Sequence, residues 1–82
     1  MVYTKLDPTS YTVFAFLISD IDNEVLATYR FNIDECVDEF LKLSKSHNII
    51  IEGEKTYATA FVQEINEKAG KEVAFYRQGD KG

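Results

Sequence analysis

Apolar residues along the chain form one uninterrupted run and two stripes at helical spacing. The run covers residues 11–19 (YTVFAFLIS), where both alternating sets of side chains are apolar. A strand with two apolar faces is typical of the interior of a sheet. Residues 25–31, 49–52 and 72–77 are rich in β-branched and aromatic side chains, which predicts three further strands.

The two stripes predict helices over residues 33–46 and 55–68. Apolar residues of the first helix recur at the spacing of one buried face: Ile33, Cys36, Val37, Phe40 and Leu41. Asn32 is its predicted N-cap, with Glu35 three residues later as in a capping box. The second helix has a similar stripe and is expected to end at Gly70.

These elements give the order ββαβαβ. Right-handed crossovers that progress in one direction place both helices on the same face of a sheet. We therefore predict an α/β (α+β) two-layer sandwich with a four-stranded mixed sheet. Its strand order is 2-1-3-4, counted from residues 11–19. Residues 1–82 form a single domain with a lead-in segment (1–10) and a flexible tail (79–82). Within the lead-in, Val2–Leu6 can pair briefly with a sheet edge before Asp7-Pro8 interrupts it.

The hairpin between the first two predicted strands determines which face is buried. If Asp22 and Asn23 are the two turn residues, Phe16 lies opposite Tyr29, and Phe14, Phe16 and Ile18 face the helices. The other face is then open and largely apolar. Its predicted residues are Val13, Ala15, Leu17, Leu26, Thr28 and Arg30. Such a surface indicates a homodimer through the sheet face, or a partner protein bound there.

The charge balance restricts the classes of partner. Fourteen acidic and nine basic residues give a net charge of −5, which disfavours nucleic acid and anionic membranes. No apolar run reaches the roughly eighteen residues of a membrane span, and residues 1–8 do not resemble a secretion signal. The single cysteine indicates a reducing compartment. These features predict a cytoplasmic protein.

Acidic residues concentrate in the hairpin turn and at the start of the first helix. The ordinary interpretation is a solvated turn and a solvated helix face. The alternative is a recognition surface for a basic partner, formed by Asp20, Asp22, Glu24, Asp34, Asp38 and Glu39. The intervening strand separates the two groups by roughly 20 Å, so they need not form one patch.

No nucleophile, base and orienting group can be assembled from the sequence, so we predict no catalytic residue, metal ligand or cofactor. The leading interpretation is a small acidic, non-enzymatic protein-binding module, such as a stoichiometric inhibitor, an immunity-type protein or an antitoxin. One alternative is a metal-dependent hydrolase or nuclease that uses Asp20, Asp22, Glu52 and Glu54. Another is a structural subunit of a homo-oligomer.

Overall fold

The computed structural model describes residues 1–79 and contains five strands and two helices. The strands are β1 (Val2–Leu6), β2 (Thr12–Ile18), β3 (Val25–Asn32), β4 (Ile49–Gly53) and β5 (Ala74–Gln78). The helices are α1 (Cys36–Leu43) and α2 (Lys55–Ala69). Neither helix has the length and apolarity to cross a lipid bilayer. Gly79 follows β5 without regular structure, and the remainder of the predicted tail, 80–82, lies outside the described residues.

All five strands belong to one mixed sheet with the order β3-β2-β1-β4-β5. β2 is antiparallel to β1 and β3, whereas β1, β4 and β5 run parallel to one another. The prediction of an α+β fold with a mixed sheet and two helices is confirmed. The prediction of four strands is wrong, because the segment expected to be a lead-in is the central strand. The four predicted strands keep their relative order, and β1 separates β2 from β4.

β1 occupies the centre because it pairs with β2 along one edge and with β4 along the other. Val2, Thr4 and Leu6 are buried beneath the helices, while Lys5 is exposed. The one polar group on the buried side is satisfied, since the Thr4 hydroxyl donates a 2.6 Å hydrogen bond to the Phe14 carbonyl. A strand of five residues with this alternation can therefore pair with the longer β2 on one side and with β4, of the same length, on the other.

The β2–β3 hairpin has a longer turn than the predicted pair of residues. The Asn23 N–H donates to the Ser19 carbonyl at 3.1 Å, and the Ser19 N–H donates to the Glu24 carbonyl at 2.9 Å. Asn23 has a φ of 59°, in the left-handed region that asparagine tolerates. An irregularity next to Leu17 and Ile18 completes the change of register. Ala15, rather than Phe16, consequently lies opposite Tyr29.

This shift of one residue reverses the faces of β2, because neighbouring side chains of a strand point to opposite sides. Val13 and Ala15 are buried against the helices, and Leu17 packs on the same core. The predicted inward direction of Phe14, Phe16 and Ile18 is wrong. The predicted inward direction of Tyr29 and Phe31 on β3 is right, since both pack against the buried core.

The helices cover one face of the sheet and contact each other. α1 begins three residues later than predicted: Asn32 is the last residue of β3, and Glu35 holds the N-cap position without a side-chain hydrogen bond. The buried Phe40 of α1 meets Phe31 edge to face, with ring centroids 5.6 Å apart. α2 ends as predicted at Gly70, which has a φ of 75°.

A single side chain links the end of α2 to β5. Oδ1 of Asn66 accepts hydrogen bonds from the N–H groups of Val73 and Ala74, each at 2.8 Å. Its Nδ2 donates to the Ala74 carbonyl at 3.0 Å. These bonds position the start of β5 beside β4 and satisfy backbone groups that would otherwise be buried without partners.

Candidate functional site

The face of the sheet opposite the helices has no covering element among residues 1–79. The strand register orders its side chains into two rows across all five strands. The apolar row, nearer the hairpin turn, consists of Thr28, Phe16, Tyr3, Ile50 and Phe75. The charged row lies two residues further from the turn on each strand. It consists of Arg30, Phe14, Lys5, Glu52 and Arg77. Neighbouring members lie about 4.8 Å apart, so each row spans about 19 Å.

Aromatic rings dominate this open face. Phe14 is 49% exposed and Phe75 is 38% exposed, while Phe16 and Tyr3 are half-buried between them. Large apolar side chains normally leave water on folding, since burial of one ring stabilises a protein by about 1.5–3 kcal/mol. A contiguous group that remains exposed marks the surface as a candidate interface.

The charged row contains three cations and one carboxylate. Glu52 is only 9% exposed, and its Oε1 lies 3.7 Å from Nε of Arg77. Burial raises the pKa of the Tyr3 hydroxyl, and the neighbouring Glu52 carboxylate raises it further. Tyr3 therefore stays protonated at neutral pH and presents a hydrogen-bonding group within an apolar surface. Arg30 and Lys5 are exposed in the same row.

The predicted sheet-face interface is divided between the two sides of the sheet. Val13, Ala15 and Leu17 belong to the core beneath the helices, so the structure corrects their placement. Thr28 and Arg30 lie on the open face, and Leu26 is the exposed extra residue at the β2–β3 irregularity. The open apolar face exists, but β2 contributes Phe14, Phe16 and Ile18 to it. Sequence reasoning missed Tyr3 and Lys5 because it treated β1 as a lead-in. It missed Phe75 and Arg77 because it did not decide which side chains of β5 point to the uncovered side of the sheet.

The predicted acidic surface does not form one patch. Asp20, Asp22 and Glu24 lie in the turn at one end of β3, and Asp34, Asp38 and Glu39 follow its other end. Several of them have local partners: Asp20 lies 3.7 Å from the N-terminal ammonium, and Lys42 lies 3.2 Å from Glu39. The Tyr11 hydroxyl donates to Asp34 at 3.2 Å, and this carboxylate raises the pKa of Tyr11.

Ile21 stands between two of the turn acids and is 96% exposed. An isolated exposed isoleucine needs no functional explanation. It does show that the tip of the turn receives no packing from residues 1–79. The three turn carboxylates are likewise exposed, which leaves this end of the sheet acidic and accessible.

The four carboxylates of the hydrolase alternative fall into two pairs at opposite ends of the sheet. Because β2 and β4 run in opposite directions, Asp20 and Asp22 lie at one end of the sheet and Glu52 and Glu54 at the other. Glu54 is engaged as the N-cap of α2 and accepts hydrogen bonds from the N–H groups of Thr56 and Tyr57 at 3.1 and 2.8 Å. These bonds lower its pKa. Within residues 1–79, no group of three His, Cys, Asp or Glu side chains is placed to hold a metal ion.

A cleft of about 830 Å³ lies at the carboxyl ends of β1, β4 and β5. Leu6, Pro8 and Tyr76 supply its apolar wall, and Lys5 and Lys55 line it with Asp7 and Glu54. Both carboxylates are already used, since Asp7 accepts hydrogen bonds from Thr9 and Glu54 caps α2. Clefts at this position of an α/β sheet commonly bind ligands. This one offers two lysines without an arrangement that selects a particular ligand.

Cys36 is fully buried, and burial raises the pKa of its thiol to about 11. A protonated, inaccessible thiol is a poor nucleophile. The core position predicted for Cys36 is thus confirmed.

Comparison with known proteins identifies no relative: no family model matches the chain, and no curated protein or solved structure is detectably similar to it.

Proposed function

We propose that this protein is a binding module that docks a partner protein on the open face of its sheet. The observation that carries the proposal is the uncovered apolar row, with Phe14 beside it as the most exposed ring of the face. Five strands and about five residues per strand give this face a projected area of about 400 Å². The apolar row and Phe14 occupy part of that area, and contiguous exposed apolar surface on a small protein is often functional.

The composition of the open face is typical of a surface that binds another protein. Aromatic and arginine side chains are enriched in the centres of protein interfaces, and both are present here. Arg30 and Arg77 lie at the two edges of the charged row, where they would surround a desolvated aromatic centre. Tyr3 and Thr28 add hydroxyl groups for orientation. In this proposal the protein acts by occupying a partner, as an inhibitor or an assembly subunit does.

Site-specific photocrosslinking in the native host tests the proposal. A p-benzoylphenylalanine replaces Phe14 in one variant and Gln63, an exposed residue of α2 on the opposite layer, in the control. We expect a covalent adduct with a protein chain from position 14, either another protein or this same chain, and none from position 63. Equal adducts from both positions, no adduct from either, or an adduct with nucleic acid from position 14 would contradict the proposal.

A further inference from the structure

We infer that the partner on the open sheet face is a second copy of this chain, packed antiparallel across a two-fold axis. This inference rests on the proposed function and names the occupant of the same surface. The axis lies in the plane between the two sheets and runs perpendicular to the strands. Each strand then lies over its own counterpart in the opposite direction.

The charges of the face are arranged for this packing. One end of the sheet has the exposed carboxylates of Asp20, Asp22 and Glu24. The charged row, towards the other end, has Arg30, Lys5 and Arg77 against Glu52 alone. A two-fold axis perpendicular to the strands brings the acidic end of each copy over the charged row of the other. A two-fold axis parallel to the strands would superpose like charges at both ends, which is unfavourable.

The strand register also places the apolar row near the axis. Along β2, the apolar-row residue Phe16 lies between the turn, which follows Ile18, and the charged-row residue Phe14. When the turn of each copy lies over the charged row of the other, the two apolar rows therefore pack against each other across the axis. The same superposition brings Lys5 of one copy towards Asp20 of the other, since Asp20 lies beside the start of β1.

The available area fits a small dimer. A projected face of about 400 Å² has a larger accessible area, because side chains roughen it, and the turn adds to the contact. Two such faces have about 800 Å² of projected area in total, so the contact belongs to the small, reversible class of interface below about 1,200 Å². The arrangement is the aligned class of sheet packing, with strand directions about 30° apart as the twist of the sheets requires. The interface is isologous: both copies use the same surface, so two chains complete the assembly and no further copy can bind there.

A second copy fits the charges of this chain better than a nucleic acid does. Aromatic rings beside cations also bind single-stranded nucleic acid by stacking and charge. Here the whole chain has a net charge of −5, and the acidic turn adjoins the face that a phosphate backbone would cross. Those turn carboxylates repel phosphate but attract the charged row of a second copy.

The test is the oligomeric state of the purified chain, measured by sedimentation equilibrium from about 1 μM to 1 mM. We expect a reversible monomer–dimer equilibrium that Phe14→Asp abolishes while far-UV circular dichroism stays unchanged. Arg30→Glu and Asp22→Arg should each weaken the dimer about tenfold, since each places like charges together where the turn of one copy lies over the charged row of the other, at two symmetry-related positions. The double variant should recover most of the loss. Arg30→Glu combined with Glu67→Arg on α2 is the matched control and should recover nothing.

Three results would overturn the inference. A wild type that is monomeric throughout excludes a second copy, and a photoadduct from position 14 with a different protein would then keep the proposed function. A dimer that tolerates Phe14→Asp uses another surface. A dimer weakened by the single charge changes but not restored by the double change is not antiparallel. Binding of a single-stranded oligonucleotide that depends on Phe14, without dimerisation, would overturn both proposals.

Discussion

Gly53 and Gly70 both have backbone angles that favour glycine, but they differ in the space available for a side chain. Gly53 ends β4 with a φ of 153°, and a Cβ there would lie 2.6 Å from the Leu6 carbonyl oxygen of β1. Gly70 ends α2 with a φ of 75°, and a Cβ there would meet nothing within 4 Å. Both positions favour glycine because L side chains rarely adopt these backbone angles. Only Gly53 lacks the space for a side chain.

We therefore expect Gly53→Ala to be more destabilising than Gly70→Ala. The latter should cost about 1 kcal/mol, the usual cost of placing alanine in the left-handed region. Gly53→Ala should exceed that value clearly, because the central strand must move to relieve the contact. Urea unfolding of the two variants measures the difference. Equal losses would show that β1 and β4 do not approach each other as closely as described.

Phe40 and Phe14 provide a second matched pair. Phe40 is fully buried in α1, whereas Phe14 is 49% exposed on the open face. Phe40→Ala should reduce the free energy of unfolding by about 3–5 kcal/mol, and Phe14→Ala by about 1 kcal/mol or less. Chemical denaturation at micromolar concentration gives both values. A large loss for Phe14→Ala would mean that its ring belongs to the core and that the predicted hairpin register was right after all.

The two phenylalanines also show what the sequence can reveal at this scale. Phe40 belongs to a stripe of helical period, so its burial follows from its spacing. Phe14 belongs to a strand whose two alternating sets are both apolar, and either set satisfies the core. The choice depends on the hairpin register. A turn of two or of four residues leaves the same set of β2 side chains on the face of Tyr29, whereas the single extra residue Leu26 exchanges the two sets. No turn signal predicts this extra residue, so the sequence leaves the face of β2 undetermined.

At the scale of elements, the N-terminal segment has the largest effect on the fold. β1 pairs with β2 on one side and with β4 on the other. The residues of a central strand need N–H groups for both ladders, and proline lacks this group. Thr4 is the middle residue of β1, and its side chain is fully buried.

Thr4→Pro should therefore prevent folding, because it interrupts the sheet at its centre. Thr4→Val is the control, since it keeps the shape and removes only the hydroxyl that donates to the Phe14 carbonyl. It should cost about 1–2 kcal/mol. Circular dichroism and urea unfolding distinguish the variants. A folded Thr4→Pro protein would mean that residues 2–6 are the dispensable lead-in that the sequence suggests.

The elements differ in how far the sequence determines them. α2 was predicted with its end at Gly70 because a long stripe and a left-handed stop coincide. α1 begins later than predicted because Asn32 extends β3, and its carbonyl accepts a hydrogen bond from the Glu35 N–H at 2.9 Å. The sequence places β1 in a lead-in that pairs at most with a sheet edge, because five alternating residues shortly before a proline look the same in a lead-in and in a central strand. Its central position depends on pairing with β4, more than forty residues away, which no local pattern contains.

At the scale of the whole molecule, the sheet has two surfaces that can associate: its open face and its outer edges. β3 is an edge strand of eight residues, and an exposed edge of this length can pair with the same edge of another chain. The Ile33 N–H donates to the Tyr11 carbonyl, towards β2. By alternation, the amides of Tyr29 and Phe31 also point to β2, whereas those of Thr28 and Arg30 point outward.

Amide hydrogen exchange at low and high protein concentration distinguishes the two modes of association. If the chains pack through the open face, the Thr28 and Arg30 amides exchange rapidly at both concentrations, because their edge stays free. The Tyr29 and Phe31 amides serve as internal controls and should exchange slowly throughout. Slower exchange of Thr28 and Arg30 at high concentration would instead indicate a continuous sheet formed through β3. Packing through the face should also make exchange in β1 and β4 slower as concentration rises, since dimerisation stabilises the folded state by mass action.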